Sequence, residues 1–377
     1  MDALMLPLNW QRVRLGDILS YEQPTKYLVA TTQYLQKGFT PILTAGKTFI
    51  LGYTNDKHGI YTNIPVIIFD DFTTDSKMVN FPFKVKSSAI KILSLRDNNQ
   101  ADLKYIYEKL TLLKHQVTDH KRYWIDEFSN FEIPLPPLNE QIAIANILSA
   151  LDRYLCALDA LILKKEGVKK ALSFELLSQR KRLKGFNQNW QRVRLGDVGK
   201  PCMCKRVMKH QTTRYGEIPF YKIGTFGNTA DAFISKKLFL EYKTKYSFPK
   251  KGDILISASG TIGRAVIYDG KPAYFQDSNI VWIDNDETLV KNDFLFYAYS
   301  NIKWNTEHTT ILRLYNDNFR NTLIPLPPLN EQIAIANILS ALDNEIASLK
   351  NKKRQFENIK KALNHDLMSA KIRVLKK

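Results

Sequence analysis

Cysteine is nearly absent from this 377-residue chain, and an odd total of three excludes a fully paired disulfide framework and suits a reducing compartment. Cys202 and Cys204 stand two residues apart with only His210 nearby; a structural zinc takes four ligands in spaced pairs, so reduced thiols and no metal site are expected. No apolar run approaches the length of about 18 residues that marks a membrane span. The opening MDALMLPLNW lacks the basic head and apolar core of a signal peptide. A cytoplasmic protein is the expectation.

Catalytic signatures are missing too. PLPPL offers neither the acid or amide before Pro-Pro nor the aromatic after it that a base-flipping adenine methyltransferase needs, and no glycine-rich cofactor loop accompanies it. The glycines Gly260 and Gly263 lack the GxxxxGK[ST] spacing of a nucleotide-binding loop. Asp231 with Glu241 and Lys243 mimics a nuclease carboxylate set, but such spacing arises easily among 37 acids and 55 bases. The six histidines flank no candidate nucleophile. No catalytic residue and no cofactor is expected.

What the chain does have is an internal duplication. IPLPPLNEQIAIANILSALD occurs at Ile133–Asp152 and again, unchanged, at Ile324–Asp343; NWQRVRLGD occurs at Asn9–Asp17 and Asn189–Asp197. The segments between, 18–132 and 198–323, share almost nothing. Two constant frames therefore carry two unlike inserts, a layout suited to reading two different things with one scaffold.

Each long block opens with prolines that fix an extended segment and cannot continue a strand or helix. Asn139 and Asn330 then occupy the expected N-cap positions, with Glu140 and Glu331 in the first turn. Apolar residues follow at alternating steps of three and four: Ile144, Leu148, Leu151, Leu155, Leu158 and Ile162 in the first copy. The second copy gives Ile335, Leu339, Leu342, Ile346, Leu349, Phe356, Leu363 and Leu367. This heptad seam predicts two long helices, from Asn139 to about Arg182 and from Asn330 to about Val374, packed as an antiparallel coiled coil. Lys165 and Lys169 around Gly167, and Lys353 and Lys360, interrupt the seam and predict a stutter or a wet, looser stretch.

The inserts read as mixed α/β. Strands are expected at Ile64–Phe72, Ser87–Leu93 and Phe275–Ile283, a hairpin over Gly252–Tyr268, and short helices at Asp102–Lys114 and Asp293–Ser300. The fold expected is α+β: two α/β domains, residues 1–137 and 189–328, separated by helices in residues 138–188 and 329–377 with pseudo-twofold symmetry. Net charge is +18, which suits a polyanion such as DNA, RNA or a membrane surface. The first insert domain carries only +2 of it and the second +7.

Taken together, LPPLNEQ leading twice into a long helix, and GDILISASGTIGRAV followed by QDSN, resemble the specificity subunit of type I restriction–modification systems. The resemblance covers essentially the whole chain. It implies a non-catalytic protein whose two target-recognition domains each read half of a split double-stranded DNA target. It also implies that two methyltransferase subunits dock on the scaffold and that nuclease–translocase subunits join through them. The first insert departs from the pattern, carrying IIFDDFTTDSKMVNFPFKVKSSAIKIL in place of the glycine turn, so two different half-sites are expected.

Arg can read guanine, and Asn or Gln adenine, through bidentate contacts, which nominates polar side chains in the variable loops. In the second domain these are Lys222, Thr225, Ser259, Thr261, Arg264, Gln276 and Ser278, then Thr310, Arg313, Tyr315 and Asn316 before the proline block. Arg313 is the favoured base reader among them. In the first domain they are Lys47, Lys77, Ser87, Ser88, Lys121, Arg122 and Tyr123. Against this reading stand a stand-alone DNA methyltransferase or nuclease with duplicated binding domains, and an RNA-binding or purely structural coiled-coil protein. The last has no reason to keep its helix seam identical while replacing its domains.

Overall fold

The computed structural model describes residues 7–44, 48–113, 122–308 and 312–375. The chain divides into two units, one within residues 1–160 and 351–377, the other within residues 161–350. Each unit thus contains one insert domain, the first half of the helix that follows it, and the last half of the other long helix.

In the first unit the chain runs β1 (Gln11–Arg14), α1 (Leu15–Ile18), β2 (Leu19–Glu22), β3 (Thr40–Leu43), β4 (Ile50–Thr54), β5 (Val66–Asp70), β6 (Ser76–Val79), β7 (Lys84–Val85) and β8 (Ile90–Leu95). After these come α2 (Leu103–Leu110), α3 (Tyr123–Asp126), β9 (Glu132–Leu135) and the long helix α4 (Leu138–Leu177). One sheet has the order β2-β8-β5-β6, a second β4-β3-β7, and β1 pairs with β9. The run from Val66 to Asp70 is buried at every position, as expected for a central strand covered on both faces.

The second unit repeats this. Its elements are β10 (Gln191–Arg194), α5 (Leu195–Val198), β11 (Gly199–Met203), β12 (Ile218–Tyr221), β13 (Phe233–Ile234), α6 (Lys236–Lys245), β14 (Ile254–Ser257), β15 (Ala265–Ile267), β16 (Tyr274–Phe275) and β17 (Ile280–Asn285). They are followed by α7 (Asn292–Ala298), the short strands β18 (Glu307–His308) and β19 (Leu312–Arg313), α8 (Asn316–Asn321), β20 (Leu323–Leu326) and the second long helix, α9 (Leu329–Met368). The sheets are β11-β17-β14-β15 and β13-β12-β16, with β10 on β20. These three sheets match those of the first unit strand for strand, although the sequences do not; the small β18-β19 sheet is additional among the described residues. The expected single strand Phe275–Ile283 is two strands, because Gln276–Asn279 forms a turn with Ser278 in the left-handed region (φ 53°).

The proline expectation needs correcting. Pro134 and Pro325 lie inside β9 and β20, opposite Arg12 and Arg192. Each strand belongs to a two-stranded sheet with an open edge, so a missing N–H is tolerated there. The cap expectation also changes: the helices begin one residue earlier, the carbonyl of Pro137 or Pro328 accepts the first helical N–H groups, and the Asn139 and Asn330 amides accept from the N–H of the next residue, each at 2.9 Å. The helices stop short of Arg182 and Val374, with Gln179 and Ala370 in the left-handed C-terminal turn (φ 60° and 59°). Neither is glycine, so no sequence signal marked that end.

Every seam residue is buried or half-buried. In the first unit Leu367 and Met368 of α9 enter the same core as Ile144 and Leu148 of α4; in the second, Leu176 and Leu177 of α4 join Ile335 and Leu339 of α9. The start of one helix therefore packs on the end of the other within each unit, which makes the pairing antiparallel. No loose stretch appears at the lysines that interrupt the seam. Lys165 pairs with Glu345 (2.8 Å), Lys169 with Asp343 (2.5 Å), Lys353 with Asp159 (2.7 Å) and Lys360 with Asp152 (2.6 Å), each to the opposing helix. These lysines extend the seam with ion pairs, and helix α4 passes through Gly167 unbroken.

The repeated LNEQ residues are a socket. In each copy the buried glutamate accepts a tryptophan indole N–H and an arginine from the segment just past the other helix: Glu140 takes Trp10 and Arg373, Glu331 takes Trp190 and Arg182. Gln141 accepts the N–H of Asp102 and donates to the carbonyls of Gln100 and Pro136. Gln332 does the same with Lys291, Leu289 and Pro327. The constant residues thus anchor the start of the domain helix α2 or α7, whatever the insert's sequence.

Candidate nucleic-acid interface

In the second domain four segments meet around the end of β14. Ser257 closes the glycine turn by donating to the Thr261 carbonyl and accepting from the Arg264 N–H. Gly263 needs both its left-handed φ of 83° and its missing side chain, since a Cβ there would overlap the Trp304 indole. The turn leaves Thr261 and Arg264 exposed, while Ser259 is buried and donates to Asn279 at 2.8 Å. Arg264 also donates to the carbonyl of Phe226. The QDSN residues bind the neighbouring segments. Gln276 accepts the Ile223 N–H (3.0 Å), Asp277 pairs with Arg206 (2.8 Å), and Arg313 donates to the Ser278 carbonyl (2.8 Å) and the Asn279 amide oxygen (3.1 Å).

The structure therefore gathers Lys222, Thr225, Ser259, Thr261, Arg264, Gln276, Ser278 and Arg313, spread over 92 sequence positions, into one hydrogen-bonded neighbourhood. Lys222 is half-buried and pairs with Asp231. Tyr315 and Asn316 are exposed at the start of α8, where Asn316 borders a separate hollow with Lys200 and Arg320. Thr310 lies outside the described residues.

The first domain builds the same turn from other chemistry. Asp70 stands where Ser257 does and accepts from the Phe72 N–H and the Thr73 hydroxyl, with Thr74 at φ 59° in the glycine-like position. Asp71 and Lys91, both buried, pair at 2.9 Å, and Asp71 also accepts the Trp124 N–H. The strand registers place Ala258 and Val281 at those two positions in the second domain. Ser87 and the exposed Ser88 occupy the turn equivalent to QDSN, Lys77 sits over the Phe49 ring, and Arg122 is exposed. Tyr123, expected at the surface, is wholly buried in the core with Trp124 and Phe128, so it is a packing residue. Lys47 and Lys121 lie outside the described residues.

Two exposed aromatics escaped the sequence reading. Phe39 (88% exposed) and Tyr215 (87%) sit in matching loops before β3 and β12, next to Gly38 and Gly216 and close to Lys37 and Arg214. The signal, an aromatic beside a cation and a glycine, was present. Asp231 and Glu241 are taken up by Lys222 and Lys245, and Cys204 is buried with its thiol pushed up to about 12 by desolvation. Among the described residues no group of three or more His, Cys, Asp or Glu could hold a metal, and no helix is long and apolar enough to cross a membrane.

Comparison with known proteins decides the family. Residues 7–165 and 187–358 each match the family described as Type I restriction modification DNA specificity domain. The chain belongs to it. It is 33% identical over 368 residues to the type I restriction enzyme EcoR124I/EcoR124II specificity subunit of Escherichia coli, covering 91% of this chain and 89% of that one. It is also 51% identical over 221 residues to S.HindORF215P of Haemophilus influenzae, a match spanning 56% of this chain and 55% of that protein. In fold it is similar to the S subunit of the type I restriction-modification system from M. genitalium, with TM-score 0.65, 18% identity and 97% of each chain covered. The chain is thus a specificity subunit, and its duplicated frame carries two copies of the family domain.

Proposed function

We propose that this specificity subunit is a non-catalytic, cytoplasmic reader of a bipartite, asymmetric double-stranded DNA target, with domains at residues 1–137 and 189–328 spaced by the helices of 138–188 and 329–377. The observation that carries the reading is that identical sockets hold two domains of one topology whose exposed turns are built from different residues. A shared frame then fixes geometry, and the turns set two unlike half-sites. The duplicated frame also offers two near-equivalent surfaces, which suits two methyltransferase subunits, with the restriction subunits joining through them. No cofactor is required for reading.

Mapping methylated adenines in a host carrying the system, with and without this chain, tests the reading. One split, non-palindromic motif that disappears with the chain is expected. Methyl transfer or Mg²⁺-dependent cleavage by the pure chain alone would overturn it in favour of a stand-alone enzyme.

A further inference from the structure

The residue best placed by sequence to read a base is committed elsewhere in the fold. Arg313 is half-buried and bridges Ser259 through the backbone, and the next N–H, of Leu314, bonds the Ala258 carbonyl at 2.8 Å. One guanidinium nitrogen holds both the Ser278 carbonyl and the Asn279 amide oxygen. That oxygen also accepts from Ser259. Ser278 is a non-glycine residue at φ 53°, a conformation that persists only when its surroundings over-determine it. We propose that Arg313, with Asn279, is a positioning residue: it locks the Ser278 turn to the glycine turn so that the exposed Thr261 and Arg264 meet the base edges in fixed register. The proposal rests on the reading that this domain recognises DNA.

The first domain is consistent with a clamp of its own kind. It has Ala89 at the Asn279 position, and the link to the segment before the proline block is made instead by the buried Asp71 through the Trp124 N–H. The two domains tie the segment before the proline block to this turn region with different side chains.

The test uses the full chain assembled with its methyltransferase, measuring equilibrium binding to the target duplex and to every single-base variant of both half-sites at several salt concentrations. Arg313→Gln and Asn279→Ala should each relax discrimination at two or more adjacent positions of the second half-site, by on the order of 10-fold each. The salt slope and first half-site discrimination should stay as in the unaltered chain, and the double variant should be no worse than the more damaging single one. A loss confined to one base position, with Asn279→Ala silent, would make Arg313 a base reader and overturn the proposal. So would a uniform loss with the salt slope reduced by about 1, which marks a phosphate contact. Equal loss at both half-sites would reduce Arg313 to a general stability residue. If the unaltered assembly shows no discrimination at the second half-site, the DNA-reading role of this domain fails along with the proposal.

Discussion

The guanidinium of Arg373 meets the carboxylate of Glu140 at 2.7 and 3.0 Å, joining the segment that follows α9 to the first turn of α4, 233 positions earlier. Arg182 holds Glu331 in the same way at 3.2 and 2.9 Å, eight residues before Trp190. In one unit the arginine and tryptophan are neighbours along the chain; in the other they come from its two ends. Identical local chemistry closes both frames.

Because both glutamates are buried and each keeps an arginine and an indole satisfied, removing either should cost about 3 kcal/mol, the low end for breaking a buried pair given partly exposed arginines. Glu140→Ala and Glu331→Ala should lower the calorimetric unfolding temperature by similar amounts. If one is silent, the two sockets are not equivalent.

The Asp71–Lys91 pair gives a sharper case. Asp71→Ala should destabilise the first unit by about 3–5 kcal/mol, because it strands a buried ammonium. Adding Lys91→Met removes that charge while conserving volume and should restore at least half of the loss, since the second domain keeps Ala258 and Val281 in these places. Trp124 still loses its acceptor, so recovery should be incomplete. Urea unfolding of the four-member cycle decides it, and additive losses would contradict the account.

Lys109 predicts a pH effect of definite sign. Its ammonium donates to the Met368 carbonyl at the end of α9, and burial pushes its pKa down to about 8. The folded state then binds fewer protons than the unfolded state above about pH 8, so this group's contribution to stability rises with pH up to the ordinary lysine range. The stability difference between the natural chain and Lys109→Met should shift toward the natural chain as pH rises from 8 to 10. A flat difference would show that the side chain is not desolvated.

The helices, their antiparallel pairing and the duplicated frame were legible because heptad spacing and exact repetition survive without any knowledge of neighbours. The lysines in the seam were not, because a cation on an apolar stripe looks like a fault until the opposing helix supplies Glu345, Asp343 or Asp152. For Asp152, burial opposes ionisation, yet the hydrogen bonds from Lys104 and Lys360 outweigh it and hold its carboxyl below the usual range. The common topology of the two inserts was also hidden, because Asp70 and Thr74 do with side chain and strain what Ser257 and two glycines do in the second domain. Tyr123 misled because an aromatic residue in a variable segment reads as surface, and only packing shows that it is core; the hydrogen bonds of Arg313 to Ser278 and Asn279, 35 and 34 positions away, left no local signal either.

Two equivalent frames should bind two copies of one partner. Native mass spectrometry with excess methyltransferase should show two per specificity subunit, and saturation at one would contradict the shared surface.

If the paired helices act as a ruler, lengthening both should move the half-sites apart. Four residues added to each helix, after Ala160 and after Lys350 at the unit boundaries, add about 6 Å of rise. That is close to two base pairs at about 3.4 Å each. Extending one helix alone would instead break the register of Lys169 with Asp343 or of Lys360 with Asp152, since each pair needs both helices in phase. A four-residue insertion also locally unwinds the coil, so the added turn should be absorbed without expelling the seam. With the doubly extended chain, the assembled methyltransferase should therefore modify the same half-sites with a longer unspecified gap, or none at all. The single extension should lose stability first, seen as a lower unfolding temperature of the isolated subunit. Sequencing methylated adenines after replacement in the host separates the outcomes, and an unchanged gap in the double extension would show that something other than helix length sets the spacing.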